Sequence, residues 1–256
     1  AIGRRRALDR TRVVVSMGLG VTRVERAALR EAVKALGARR AALIRSSVAA
    51  AVGAGVSISE PKGVMVVNIG GSTTEVAVIS MDGVVASRTA RTGGMALDEA
   101  IIRYIRNEKG LVIGQRTAED LKIDIGSAGK QEPESAEDVL LRGRDVRTGK
   151  PSTVSVSPKD VNKAILPPLQ TLLENIREAF ENTPPELAAD ILERGVYLSG
   201  GGARLEGLRE RLSELLSMPV HMSGSPEDDV AAGAGAIAAD ERLAFRLRKS
   251  GCLIEL

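Results

Sequence analysis

The sequence is poor in several residue types, and each shortage excludes a class of function. It holds one cysteine, Cys252, so no internal disulfide framework is available. It holds one histidine, His221, so a Cys/His zinc module is excluded. Tryptophan is absent, and the only aromatics are Tyr104, Phe180, Tyr197 and Phe245. Four are too few for the stacking platforms of single-strand nucleic-acid binders. No apolar run approaches the roughly 20 residues of a membrane-spanning helix. No charged, apolar, small-residue cleavage pattern opens the sequence, so a cytoplasmic location is expected. With 43% hydrophobic and 27% charged residues among 256, the chain reads as globular. That length suffices for one large domain or two lobes with their own cores.

The net charge of +3 is unevenly spread. Residues 1–12 hold five Arg and one Asp, and residues 242–256 hold three Arg, one Lys and one Glu. The body between them is therefore acidic. A nucleic-acid binder carries its basicity on the body, so no nucleic-acid partner is expected. The basic ends also carry Ile2, Leu8, Phe245, Leu247, Leu253 and Ile254. That mixture suits contact with an anionic membrane surface or a membrane-bound partner. Solvated, frayed termini are the plainer alternative.

Along the chain the periodicity alternates. Val13–Ser16 and Ala41–Ile44 read as short strands, each followed by a helix: about Val24–Leu36 behind the cap Thr22, then Val48–Val52. Val64–Ile69, Thr74–Ser80 and Val84–Thr89 read as a three-strand meander with an Asp82-Gly83 turn signal. A helix at Leu97–Arg106 follows. Residues 107–157 are more polar and read as an insertion with a helix at Thr117–Ile125, a charged stretch Lys130–Asp138, and strands at Val139–Arg142 and Thr153–Val156. A long helix starts at Ser157-Pro158, with Pro167-Pro168 expected to kink or split it. Thr183-Pro184-Pro185 reads as a cap and start for a helix to Arg194. Gly195–Ser199 and Val220–Met222 read as strands, Leu205–Leu215 and Asp229–Arg248 as helices. The fold class is α/β.

Two glycine turns each follow a buried-type strand. One is Gly70-Gly71-Ser72-Thr73-Thr74; the other is Gly200-Gly201-Gly202, running into a helix. Glycine lets backbone N–H groups approach a phosphate, and a helix N-terminus adds its dipole. Neither turn is a P-loop or a GxGxxG fingerprint. Each alone also fits an ordinary tight turn; two facing across a cleft would grip a nucleotide.

Here the residues resemble a family. MVVNIGGSTTEVAVISMDGVV and RTGGMALDEAII resemble the second phosphate segment of the MreB family of bacterial actin homologues. GLVIGQRTAEDLKIDIGSA resembles its adenosine-contacting helix, and PPELAADILERGVYLSGGGARLEGL its adenine-side glycine turn. The resemblance runs from about Arg12 to Ala238. It implies the actin-like, ribonuclease H-like two-lobed fold, ATP or ADP with magnesium as cofactor, and self-association into a dimer or filament. Carried over to this sequence, the nucleotide-binding positions are Gly70, Gly71, Ser72, Thr73, Thr74, Gly93, Gly94, Glu119, Lys122, Gly200, Gly201 and Gly202. An ordinary surface ion pair would also account for Glu119 and Lys122.

The sequence departs from the pattern in places. The family's first phosphate loop and outer lobe have no counterpart at the start of this sequence. Asn68 stands where the family has a magnesium-orienting Asp, and Arg45 where it has a water-positioning Glu. Ser72 replaces a glycine and Met95 an acidic residue. Accordingly, one lobe is expected to be truncated. Residues 1–60 with 229–256 are read as a first-lobe remnant with only two strands, 61–109 with 158–228 as the second lobe, and 110–157 as its outer subdomain. A degraded ATPase site with weak or no hydrolysis is expected in an actin-like filament protein. A non-polymerising adaptor or regulator that binds another filament protein is the alternative.

Overall fold

The computed structural model describes residues 12–18, 20–38, 40–129 and 137–255. The basic residues 1–11 and most of the Lys130–Asp138 stretch lie outside these. The described chain opens with β1 (Arg12–Met17), α1 (Arg23–Ala35), β2 (Arg40–Arg45) and α2 (Ser46–Gly53). Thr22 caps α1 through a reciprocal pair: its hydroxyl accepts from the Glu25 N–H, and the Glu25 carboxylate accepts from the Thr22 N–H. The meander follows as β3 (Val64–Ile69), β4 (Thr74–Ser80) and β5 (Gly83–Ala90). Then come α3 (Gly94–Glu108), β6 (Leu111–Val112), α4 (Gln115–Ile125), and the hairpin β7 (Val139–Asp145) and β8 (Pro151–Val156). The remainder is α5 (Pro158–Glu181), α6 (Pro185–Arg194), β9 (Val196–Ser199), a 3-10 turn at Gly201–Arg204, α7 (Leu208–Leu216), β10 (Val220–Met222), α8 (Asp229–Ala239), α9 (Glu241–Lys249) and β11 (Leu253–Glu255).

Three sheets organise these elements. The largest runs β10-β9-β3-β4-β5, with β9 parallel to β3 and the meander antiparallel. Its central strands are apolar on both faces, and side-chain alternation divides them between two cores. Met65, Val67, Ile69, Val76, Val78, Val196 and Leu198 face a core shared with α3, α5 and α7. Val64, Val66, Ala77 and Ile79 face a second core shared with α2, α8, α9 and the sheet β1-β2-β11. The third sheet, β6-β7-β8, forms the insertion.

The second core depends on close helix packing. The residues of α2 from Ser47 to Ala51 are all buried, as an all-round apolar helix must be. It presses against α8 where glycines meet backbone. A Cβ on Gly233 would lie 1.8 Å from the Ala49 carbonyl oxygen, and one on Gly53 would lie 1.8 Å from that of Asp229.

Several expectations are corrected. The first-lobe sheet is not a two-stranded remnant. β11 adds to β2 in antiparallel register, Leu253 opposite Ile44, and buried Cys252 and Leu253 join its core. This strand hid in a basic segment that reads as a tail. β6 has two residues, too short for any period. The helix expected over Asp229–Arg248 is two helices, because the Asp240 carboxylate accepts from the Arg242 and Leu243 N–H groups and starts a new one. Pro167 and Pro168 lie inside one continuous α5, whose Ile165, Leu169, Leu172 and Ile176 are held in the first core. Thr183 does not cap α6; its hydroxyl donates back to the Ala179 carbonyl. α7 begins later than read, after Gly207 at φ 70°.

Two measurements test this packing. Gly233→Ala is expected to lower unfolding stability by about 1–3 kcal/mol in urea denaturation, because the methyl meets backbone rather than a movable side chain. Asp160, in the first turn of α5, gives a pH signature. Burial alone would raise its pKa, but the Lys109 ammonium at 2.8 Å, the Ser157 N–H and hydroxyl, and the Tyr104 hydroxyl hold it at about 2, below the ordinary 3.8. A depressed carboxylate contributes stability above its unfolded pKa and loses it as pH falls toward its folded pKa. Asp160→Asn is expected to lose about 2 kcal/mol at neutral pH and to flatten the stability profile between about pH 4 and pH 2.

Candidate functional site

Topology brings the two glycine turns together. β3 and β9 are parallel neighbours in register, Asn68 opposite Ser199, so the turns leave the same end of the sheet side by side. The carboxyl ends of parallel strands are where open α/β sheets hold ligands. The first turn is closed by the Gly70 N–H donating to the Thr73 carbonyl at 2.9 Å. The N-terminus of α3 docks on it, with the Gly94 and Met95 N–H groups donating to the Gly70 and Gly71 carbonyls. A Cβ on Gly93 would lie 2.5 Å from the Gly70 oxygen, so this docking requires glycine. In the second turn Gly200 has φ 84°, its N–H donates to the Pro226 carbonyl, and a Cβ there would strike the Ile69 carbonyl at 2.3 Å.

Between the turns lies a cavity of about 440 Å³. Gly70, Gly71, Gly94, Gly201 and Gly202 form its glycine walls, and Glu119 and Lys122 of α4 face it from the side. The remaining positions carried over from the resemblance serve the walls from outside. Thr74 is buried and its hydroxyl donates to the Thr92 carbonyl, Gly93 and Gly200 hold the turns, and exposed Ser72 and half-buried Thr73 shape the first turn. Asn68 and Arg45 are not among the residues lining the cavity. Asn68 lies beneath the second turn, where a Cβ on Gly200 would come within 2.7 Å of its Oδ1. Arg45 ends β2, in register with Met17.

Lys122 is paired with Asp98, not with Glu119. Its ammonium donates to Asp98 Oδ1 at 2.7 Å and to the Gly94 carbonyl at 3.4 Å. The Asp98 side chain is only 3% exposed and that of Lys122 14%, so the charge pair sits in the cavity floor. Asp98 follows buried Leu97 on the apolar face of α3, and an acid among core residues is the signal that marks it. On the opposite wall the Arg204 guanidinium is held by a fork. Nε and Nη2 donate to the Glu227 carboxylate at 2.6 and 2.8 Å, and Nη2 donates to the Gly224 carbonyl at 3.1 Å. These bonds raise the Arg204 pKa and lower that of Glu227. Glu227 carries no sequence signal; it reaches the site through the loop before α8. Among the described residues no cluster of three His, Cys, Asp or Glu side chains is placed to hold a metal ion. The cavity's volume and its open glycine rim, where a Cβ on Gly201 would meet nothing within 4 Å, fit a nucleotide.

Truncating Lys122→Met leaves the Asp98 carboxylate buried without its cation. The expected cost is about 3–5 kcal/mol, read as a lower urea midpoint, and Lys122→Met with Asp98→Leu together should recover part of it. Equal stability of Lys122→Met and the parent chain would show that the pair carries no weight.

A profile of the MreB/Mbl protein family matches residues 1–244. The chain is 45% identical over 224 residues to the cell shape-determining protein MreB of Escherichia coli K12, covering 88% of this chain and 64% of that protein. It is 40% identical over 228 residues to the cell shape-determining protein Mbl of Bacillus subtilis, covering 89% and 68%. The chain thus spans 64% of the length of the Escherichia coli relative. MreB5 of Spiroplasma citri superposes with a TM-score of 0.87 when bound to ADP and 0.88 when bound to AMPPNP, at 31% identity. These superpositions cover 95% and 98% of this chain and 72% and 74% of the MreB5 chains. Two expectations fall. A lobe-truncated branch of the family is overturned, because nearly all of this chain overlays a two-lobed nucleotide-bound protein. A degraded nucleotide site is overturned as well, since MreB5, built this way, holds ADP and AMPPNP, and of the altered residues Asn68, Arg45 and Ser72 lie off the cavity wall while Met95 alone lines it. With the family profile covering most of its length, the chain belongs to the MreB/Mbl family of actin-like proteins.

Proposed function

We propose that this chain binds an adenine nucleotide, ATP or ADP with magnesium, between its two glycine turns and works as an actin-like cytoskeletal protein. The observation that carries this reading is the convergence of Gly70-Gly71, Gly94 and Gly201-Gly202 on one cavity beside Lys122. The overlay on MreB5 carrying ADP and AMPPNP supports the same reading. In it, backbone N–H groups of the first turn donate to phosphate oxygens, the second turn lies on the adenine side, and the Lys122 ammonium, oriented by Asp98, supplies positive charge. Glu119 on the preceding turn of α4 offers a hydrogen-bond acceptor to sugar hydroxyls. Magnesium accompanies the phosphates. Working domain limits are residues 1–60 with 229–256, 61–109 with 158–228, and 110–157, each holding one of the three sheets.

Self-association into filaments in the cytoplasm is the second part of the reading, supported by membership of a family with cell shape-determining relatives. Contact with an anionic membrane surface is the third. Its support is α9, which buries Ala244 and Leu247 and presents Phe245, 63% exposed, beside exposed Arg242 and Lys249. Arg248 is tied to Glu241 and Glu255 and Arg246 to Asp82, which leaves Arg242 and Lys249 as the lipid-facing cations.

Gly201 allows a clean test. Gly201→Ala adds a methyl that meets no protein atom, so the urea midpoint should stay within about 0.5 kcal/mol of the parent. The methyl enters the cavity, so calorimetric affinity for ADP with magnesium should fall about tenfold or more. Unchanged ADP affinity, or no ADP binding by the parent chain, would remove the site from between the turns. Negative-stain microscopy and sedimentation with anionic vesicles check the other two parts.

A further inference from the structure

Two side chains at the rim of the cavity depart from the family pattern together, and they touch. Ser72 stands on the first glycine turn in place of a glycine, and Met95 stands in the first turn of α3 in place of an acid. The Ser72 hydroxyl donates to the Met95 Sδ at 3.4 Å. A thioether has no proton to give, so the direction of this bond is fixed. Ser72 is exposed and Met95 is 39% exposed, so core packing does not demand the contact.

The start of α3 aims Met95 at the turn. Side chains of a helix lean toward its N-terminus, and this helix begins on the Gly70 and Gly71 carbonyls. The Met95 side chain accordingly lies back across the turn, where a Cβ on Gly71 would be 3.8 Å from its Cγ and Sδ. Ser72 itself lies off the cavity wall, but Gly71 and Met95 on either side of its hydroxyl both line it. A phosphate received by the backbone N–H groups of this turn therefore lies one residue from that hydroxyl.

The acceptor is the informative part. Thr74 is buried, and its hydroxyl donates to the Thr92 carbonyl at 2.6 Å, so that hydroxyl is committed to the fold. The Ser72 hydroxyl rests on sulfur, a weak acceptor, at a solvent-exposed rim. A charged phosphate oxygen is a much stronger acceptor, so a hydroxyl that leaves sulfur for it gains bond strength. A carboxylate in place of the thioether reverses this balance. It would hold the hydroxyl by a charge-assisted bond of its own. It would also add negative charge to a wall that already carries Glu119 and Glu206 besides the acids paired with Lys122 and Arg204. The two departures thus act as one: a hydroxyl at 72 serves a phosphate only where the residue at 95 lets it go.

We propose that the Ser72 hydroxyl is a phosphate-binding group, held on the Met95 sulfur and passed to a phosphate oxygen when a nucleoside diphosphate or triphosphate binds. Met95 is the positioning residue, and its flexible thioether swings clear as it releases the hydroxyl. This rests on the nucleotide-binding part of the proposed function. It adds to that site a side-chain contact that glycine cannot make, and a second side chain that controls it.

Calorimetry with ADP and magnesium, and separately with adenosine, tests the pair. Ser72→Ala is expected to lower ADP affinity about tenfold or more, the usual effect of losing one hydrogen bond to a charged group. Adenosine carries no phosphate, and its affinity for the same variant should stay within about twofold of the parent. Met95→Asp is expected to lower ADP affinity about tenfold or more. In the Met95→Asp background, Ser72→Ala should cost less than about twofold further, because the carboxylate already holds the hydroxyl. A merely structural role of either residue would not give that non-additivity, and unchanged urea midpoints check folding directly. Parent-like ADP affinity of Ser72→Ala, or an equal loss of ADP and adenosine affinity, overturns the proposal. So does an equal cost of Ser72→Ala in both backgrounds. A parent chain that binds neither ligand overturns the nucleotide reading and this contact with it.

Discussion

Everything in this fold is hung on β3, a strand buried on both faces. Its residues alternate between two separate cores, Met65, Val67 and Ile69 on one side and Val64 and Val66 on the other. A strand shared in this way couples the packing of α3 and α5 to that of α2 and α8 through one backbone. Its neighbours fix the rest: β4 pairs antiparallel on one side and β9 parallel on the other. The parallel pairing requires a long crossover, and the insertion and α5 to α6 lie within it. The same pairing places the two glycine turns together. The nucleotide cavity is thus a by-product of satisfying one strand's hydrogen bonds and both of its apolar faces.

Much of this was legible in the residues, and what was not has identifiable physical causes. β3 is apolar in five of its six positions and β4 carries an unbroken apolar centre from Val76 to Ile79, so Val64–Ile69 and Thr74–Ser80 read correctly. β11 did not read because its apolar content is two residues beside a basic helix, and only pairing with β2 makes it a strand. The break at Asp240 was hidden because α8 and α9 keep a continuous apolar rhythm while one carboxylate ends it. At Pro167-Pro168 local propensity pointed to a break, and burial of the surrounding leucines and isoleucines prevailed. Lobe truncation was read from the lack of a counterpart to the family's first phosphate loop and outer lobe, and from a count of two strands that missed the one formed by residues 253–255.

The site shows the same division. Glycines were legible because the backbone positions they serve exclude a Cβ, and that requirement leaves a mark in the sequence. Lys122 was legible as a candidate, but its partner was not. Helical spacing favours Glu119, whereas the tertiary fold places Asp98 at 2.7 Å in a setting where water is scarce. The Arg204–Glu227 fork joins a turn to a loop and leaves no local pattern at all. Asn68 and Arg45 were given weight because they replace residues with a known role. Neither reaches the cavity wall, and position in space, not identity, decides what a side chain can touch.

The pairing of β11 with β2 also orders events during synthesis. β1, β2 and α2 leave the ribosome well before β11, yet their sheet gains its third strand only when Leu253 can reach Ile44. The five-stranded sheet needs nothing beyond β10, so it can close while α8 and α9 are still being made. The sheet whose first strands are made before the five-stranded sheet is therefore completed after it. Until then Ala42, Ile44 and Val48 lack their cover from α8, α9 and β11, and that interval is when a nascent chain of this fold is most exposed to chaperones and to misassembly.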